Sequence, residues 1–349
     1  MNVASVLPAV IAFVVTFGVA WVLGRVAPRL GWVDGGDRGH KLGVAPVPLI
    51  GGAAIVCGLL AGWLALIALG RESASFVPGR ALGQLLAREL GPTATLLPWG
   101  GVLVAFSVGL IDDLSSNGLR ARTKLAGQAL SGLALGLPLF FSSMSTGDAA
   151  LVVGLLVLGA VATQNALNTF DNADGAATGL GLIALAIPAP LFAAPLAAFL
   201  PFNLARGAGD APPARRLPKS ILGDAGSHVI GMLVLLTPAA WPVLVLPLFD
   251  LARLCVVRSR LGLKPWVGDR RHLAHRLKAL GLAPARVAAV LTCIALPSVA
   301  LAALPAGTAV GIALTLALAV WALHRAPAQR EEFALDSGGL ARPSSGAAR

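Results

Sequence analysis

The chain is poor in charge: only 12% of its 349 residues are Asp, Glu, Lys or Arg, against roughly 25% in an ordinary soluble protein. With 56% of the residues hydrophobic, that scarcity excludes a soluble globular enzyme. A membrane-spanning helix needs about 20 mostly apolar residues, so this length holds roughly ten spans and no sizeable soluble domain. Tyrosine is absent altogether, which removes the Tyr-Asp that an intramembrane aspartyl protease would pair with a Gly-Asp such as Gly223-Asp224. Cysteine is scarce, and Cys57, Cys255 and Cys293 lie in apolar stretches without metal-ligand spacing. Acids number 16 against 27 Lys and Arg, a net charge of +11. In a membrane protein such an excess collects on cytoplasmic loops for topological reasons, so no nucleic-acid partner is expected. No signal-peptidase site follows the first apolar run, which reads as an uncleaved span.

What the chain does have is apolar runs. They extend over Val3 to Leu23, Leu49 to Leu69, Thr93 to Ile111, Leu125 to Phe141, Ala149 to Ala166, Ala176 to Phe192, Ala193 to Leu204, Ser220 to Leu236, Ala239 to Leu254, Val287 to Leu304 and Gly307 to Leu323. Pro188, Pro190, Pro195 and Pro201 blur the sixth and seventh. The expected fold is all-α, a polytopic integral membrane protein with ten or eleven transmembrane helices. Residues 1–325 read as a single transmembrane catalytic domain, and residues 326–349, rich in Gly, Ser and Arg, as a disordered cytoplasmic tail.

With an extracytoplasmic N-terminus, 24 of the 27 basic residues fall on cytoplasmic segments, and Arg71, Arg80 and Arg88 are the exceptions. The positive-inside rule therefore orients the chain in the cell's inner (plasma) membrane. Acids at membrane depth are expensive and usually functional, and here five of them converge on the cytoplasmic face. Asp112 and Asp113 end the third span, Asp171 and Asp174 end the fifth, and Asp224 opens the eighth; Asp250 lies within the ninth. A cytoplasmic-face active site follows as an expectation.

Adjacent carboxylates repel, which favours a divalent cation between Asp112 and Asp113 or one shared proton. At a helix C-terminus they are electrostatically misplaced unless a cation compensates them. Lys124 and Gln128, four apart, share a helix face; Lys124 is either an interfacial anchor or a phosphate donor. Asn165, Asn168 and Asp171 form one polar stripe, and Asp174-Gly175 opens a turn. Gly223-Asp224-Ala-Gly226-Ser227 reads as a tight loop entering a helix N-terminus, where an anion is favoured. His272 and His275, three apart in the most basic loop, suit a phosphate better than zinc for want of a third ligand.

In this order and topology, the motifs resemble those of the polyprenyl-phosphate N-acetylhexosamine-1-phosphate transferase family of membrane enzymes. The first-loop pattern is similar at Asp34, Arg38, His40, Lys41, Pro48, Gly51 and Gly52. The Asp-Asp, Lys and Gln pattern falls on Asp112, Asp113, Lys124 and Gln128, and the Asn-x-x-Asn-x-x-Asp-x-x-Asp-Gly signature on Asn165, Asn168, Asp171, Asp174 and Gly175. Asn203, the Gly-Asp-x-Gly-Ser loop, Asp250 and His-x-x-His at His272 and His275 complete it. Three departures stand out: Ala274 replaces a further His, Ile221 replaces an aromatic residue, and Ala205 to Arg216 reads as an insertion.

The resemblance implies transfer of a sugar-1-phosphate from a UDP-sugar to a polyprenyl phosphate, with UMP released, to start cell-envelope glycan synthesis. It implies Mg²⁺ held by Asp224 with Asp171 and Asp174, and catalytic roles for Asp112, Asp113, Lys124, Asp171, Asp174, His272 and His275. His40, Lys41, Asn165, Asn168, Asn203, Asp250, Arg271 and Arg276 are the expected substrate contacts. Either Asp112 or Asp113 would deprotonate the lipid phosphate or attack the sugar nucleotide. The lipid bilayer is the surrounding partner, and a homodimer is compatible with all of this. The alternatives are a phospho-muramoyl-pentapeptide transferase of the peptidoglycan branch and a non-enzymatic transporter of lipid-linked sugars. A transporter would place its charges near the midplane and in both halves of the chain.

Overall fold

The computed structural model describes residues 3–34, 47–69, 97–115, 117–171, 174–204, 219–264 and 271–326. Among them the chain forms twelve α-helices. They are α1 (Val3–Val26), α2 (Gly51–Ala68), α3 (Leu97–Leu114), α4 (Ala121–Gly136), α5 (Thr146–Phe170) and α6 (Ala176–Leu185), then α7 (Pro190–Asn203), α8 (Gly223–Leu235), α9 (Val245–Arg260), α10 (Leu273–Ala279), α11 (Pro284–Ala300) and α12 (Gly307–Arg325). Ten of the eleven apolar runs fall mainly on a single helix, and the sixth is divided between α6 and α7. The protein is an all-α, multi-pass membrane protein: α1, α2, α4, α5, α9 and α12 belong to segments long and apolar enough to cross a bilayer, and α6, α7 and α11 are shorter apolar helices.

The break between the sixth and seventh runs falls at Ala186–Ala189, earlier than the expected join at Phe192–Ala193. Proline explains it. A residue before proline is steered away from the α region, and Pro190 sits at the first position of α7, where its missing N–H is not needed. Pro195 and Pro201 are accommodated inside the helix.

Burial separates lipid-facing from central helices. On α1, Val10, Val14, Phe17 and Trp21 are exposed, as expected where lipid replaces water. On α8, eleven of thirteen residues are buried, so this helix forms the axis. It packs against α3 and α5, and α4 bridges those two. Small residues permit the approach: a Cβ on Gly109 of α3 would lie 2.4 Å from the Ala225 nitrogen of α8.

Two short strands, β1 (Val33–Asp34) and β2 (Val47–Pro48), pair antiparallel. A parallel bridge then joins Leu49 to Ile221, with Ile221 N–H donating to Pro48 O (2.8 Å) and Gly51 N–H to Ile221 O (3.1 Å). The start of α2 and the start of α8 are thereby tied together, and Ile221 is part of that tie.

The loop bearing Arg71, Arg80 and Arg88, the segment with His40 and Lys41, the insertion at 205–216 and the tail from 327 onward lie outside the described residues.

Candidate active site

The site begins where α3 ends against the start of α8. Both carboxylate oxygens of Asp113 accept backbone N–H groups from the first turn of α8, from Asp224 at 2.9 Å and from Ala225 at 3.0 Å. The anion that this helix N-terminus favours is thus supplied by the chain itself. Gly223 is required at the join: its φ is +74°, and a Cβ there would lie 2.4 Å from Asp113 Oδ2.

Asp112 points the other way. Its Oδ1 accepts the Leu119 N–H at 2.6 Å, and its Oδ2 meets Lys124 Nζ at 3.0 Å. Lys124 also binds Asp224 Oδ2, so one ammonium bridges two acids. The other oxygen of Asp224 accepts from Asn168 Nδ2 at 2.6 Å, and the same amide contacts Ser227 Oγ at 3.2 Å. The apparent misplacement of two acids at the end of α3 is resolved by partners on other helices, which no local spacing reveals. Lys124 is neither a lone anchor nor a lone phosphate donor here; it is the cation among carboxylates.

Asp171 caps the end of α5 and faces the N–H of Gly223; burial holds its carboxyl well above the ordinary range, and the charges of Asp224, Asp174 and Asp113 add to that. Asp174 follows in the turn before Gly175. Asn203 stands behind this turn: its Oδ1 accepts from Gly175 N–H (3.1 Å) and Thr178 Oγ1 (2.8 Å). Expected as a substrate contact, Asn203 is 1% exposed and its amide shapes the turn.

Ligand oxygens of Asp112, Asp113 and Asp224 all lie within 4.8 Å of one another. The grouping differs from the expected set of Asp224, Asp171 and Asp174: the end of α3 meets the first turn of α8 as well as the end of α5, which brings Asp112 and Asp113 to Asp224, with Asp171 beside them facing Gly223. Hard oxygen donors in excess over one ammonium suit a hard divalent cation.

A second cluster forms on α9 and α10. Asp250, 1% exposed, takes Arg253 through Nε (2.9 Å) and Nη2 (2.6 Å) on one oxygen and the Leu273 N–H (3.0 Å) on the other. It therefore anchors the first turn of α10, with His272 Nδ1 3.8 Å away. His272 and His275 have ring centroids 6.0 Å apart. Arg253 also donates to the Arg271 carbonyl (2.7 Å). Arg276 Nη2 donates to the carbonyls of Leu323 (2.7 Å) and Ala326 (2.6 Å), so this expected phosphate ligand closes the C-terminus of α12.

One residue escaped the sequence reading. His228, fully buried on α8 one turn below Asp224, contacts Gln128, which contacts Asn165. Its signal was available: an ionisable side chain four residues after Asp224 within an apolar helix.

Residues 95–240 match glycosyl transferase family 4. The decaprenyl-phosphate N-acetylglucosaminephosphotransferase of Mycobacterium tuberculosis (strain H37Rv) is 30% identical over 338 residues, covering 80% of this chain and 77% of the relative. The proteins of the same name from Mycobacterium leprae and Mycolicibacterium smegmatis are 29% identical over 334 residues (79% and 77% covered) and 30% over 329 residues (77% and 74% covered).

Proposed function

This chain belongs to the polyprenyl-phosphate N-acetylhexosamine-1-phosphate transferases of glycosyl transferase family 4, and from that premise we propose that it transfers N-acetylglucosamine-1-phosphate from UDP-N-acetylglucosamine to a polyprenyl phosphate. The observation that carries the reading is the Asp112–Asp113–Asp224 group with Lys124 between two of its members. A phosphate oxygen of the lipid attacks the β-phosphorus of the sugar nucleotide, the bond from that phosphorus to the bridging oxygen breaks, and UMP leaves. The lipid-linked pyrophosphoryl sugar starts a cell-envelope glycan.

The residues divide the work. Asp113 has both oxygens on backbone N–H groups, so it holds the first turn of α8 in place. Asp112, held through one backbone N–H and the Lys124 ammonium, takes the proton of the lipid phosphate. Asn168 fixes one oxygen of Asp224, and Lys124 screens the incoming phosphates. Asp224, Asp112 and Asp113, with Asp171 and Asp174 alongside, would hold Mg²⁺. When bound, that ion neutralises charge on the pyrophosphate. His272 and His275, oriented through Asp250, donate to phosphate.

The distribution of basic residues supports the inner (plasma) membrane with this site on the cytoplasmic side. Purified protein given Mg²⁺, polyprenyl phosphate and UDP-N-acetylglucosamine is expected to release UMP, and Asp224→Asn to fold yet release little. Near-normal release by that variant contradicts the assignment of Asp224. Release only with the muramoyl-pentapeptide nucleotide moves the chain to the peptidoglycan branch.

A further inference from the structure

Beneath the acids, α4, α5 and α8 build two more polar layers. The top layer is Lys124, Asn168 and Asp224. One turn down, each helix contributes again, with Gln128, Asn165 and His228; below that stand Ser131, Gln164 and Met232, where Gln164 Nε2 donates to Ser131 Oγ (2.8 Å). On α4 (Lys124, Gln128, Ser131) and α8 (Asp224, His228, Met232) three- and four-residue steps keep the side chains on one helix face; on α5 Asn165 lies three residues below Asn168, and its neighbour Gln164 reaches Ser131.

Hydrogen-bond logic settles the chemistry of the middle layer. Asn165 Nδ2 donates to the Val161 carbonyl at 2.8 Å, and a carbonyl only accepts, so the Asn165 amide is oriented. Its second proton goes to Gln128 Oε1 at 2.6 Å. Gln128 therefore turns its Nε2 donor toward His228 Nε2, 3.2 Å away. The imidazole must accept there, which makes it the neutral tautomer with its proton on Nδ1. A protonated ring would set donor against donor, turn the Gln128 amide over and break its contact with Asn165.

We propose that His228 is a positioning residue for the transfer reaction: through Gln128 and Asn165 it sets the mutual placement of α4, α5 and α8, and hence of Lys124, Asn168 and Asp224 one turn above. The inference rests on the function proposed above. Bulk stabilisation of the bundle is the competing role, and it predicts different kinetics.

The test uses the full-length protein in detergent, with UMP release measured against both substrates and melting temperature measured in parallel. His228→Leu removes the acceptor, and kcat is expected to fall about 10- to 100-fold, the scale of a small misplacement of reacting groups, while both KM values stay within about twofold. His228→Gln keeps an acceptor oxygen near the position of Nε2 and is expected to restore most of kcat. Because His228→Leu strands the Gln128 amide, the double variant Gln128→Met/His228→Leu is run beside it. Replacing both partners by apolar groups removes the stranded Gln128 amide, and Asn165 keeps its bond to the Val161 carbonyl, so this variant should melt above His228→Leu and remain slow. Wild-type kcat in the double variant, or equal loss in His228→Gln and His228→Leu, overturns the proposal. Wild-type protein that releases no UMP sinks the proposed function instead.

Discussion

Asp113 of α3 holds the backbone of Asp224 on α8 by accepting its N–H at 2.9 Å, with the Ala225 N–H at 3.0 Å on the second oxygen. A carboxylate with two backbone donors at a helix N-terminus is a charge-assisted clamp. It joins elements more than a hundred residues apart in sequence, and the side chain of Asp224 is aimed by it.

Asp113→Asn converts one acceptor into a donor facing a backbone N–H. Hydrogen bonds to charged groups contribute about 1.5–3 kcal/mol, so the variant is expected to lose about that much stability. It should also lose most of its UMP release, since Asp224 no longer sits on a fixed turn. Thermal melting and the UMP assay check both, and an unchanged melting temperature contradicts the clamp.

Glycine variants separate backbone strain from collision. Gly223 and Gly262 both have positive φ, +74° and +70°, but a Cβ on Gly223 meets Asp113 while one on Gly262 meets nothing within 4 Å. Gly262→Ala is expected to cost about 1–2 kcal/mol from left-handed backbone strain alone and to leave activity intact. Gly223→Ala should abolish transfer. Equal behaviour of the two variants in the UMP assay contradicts the close approach.

Asp171 provides a pH test. Burial first, and then Asp224, Asp174 and Asp113, raise its carboxyl in the folded protein, so the folded state holds this proton more tightly than the unfolded chain, where an Asp titrates near about 3.9. The stability that the group contributes is full below that value and is lost as pH rises through the folded one. Without metal, the melting temperature should therefore be lower at about pH 8 than at about pH 5, and Asp171→Asn should flatten the difference. Added Mg²⁺ should raise it more at the higher pH; a larger rise at the lower pH contradicts a carboxylate metal site.

Asp250→Asn tests the second cluster. It weakens the Arg253 pair and the hold on the first turn of α10, and breaking a buried pair of this kind costs about 3–5 kcal/mol. Limited proteolysis is expected to open the segment around His272 before the rest of the bundle, and transfer is expected to fall with it. Uniform resistance to the protease contradicts this role.

The apolar runs were legible because hydrocarbon selects composition over about 20 residues; the join of α6 and α7 was not, because four prolines at 188, 190, 195 and 201 offered several breaks and two of them are accommodated inside α7. The acids were legible as candidates because charge is scarce enough for each one to be informative. Their partners were not. That Asp113 would cap α8, that Lys124 would lie between Asp112 and Asp224, and that Asp112 and Asp113 would join Asp224 depend on which helices meet, and helical spacing reports only which residues share a face. Asn203 and Arg276 were expected at the substrate through the resemblance alone; that Asn203 also shapes the Gly175 turn and Arg276 also closes α12 depends on tertiary contacts that spacing does not report. His228 stood out as an ionisable residue in an apolar helix, but its role appears only with Gln128 opposite it.

The most direct test labels the β-phosphate of UDP-N-acetylglucosamine and follows the label after incubation with purified protein, Mg²⁺ and polyprenyl phosphate. The account predicts that the label moves into the lipid phase with one unlabelled UMP released per product. Label remaining on the nucleotide, with or without sugar appearing on the lipid, would contradict it.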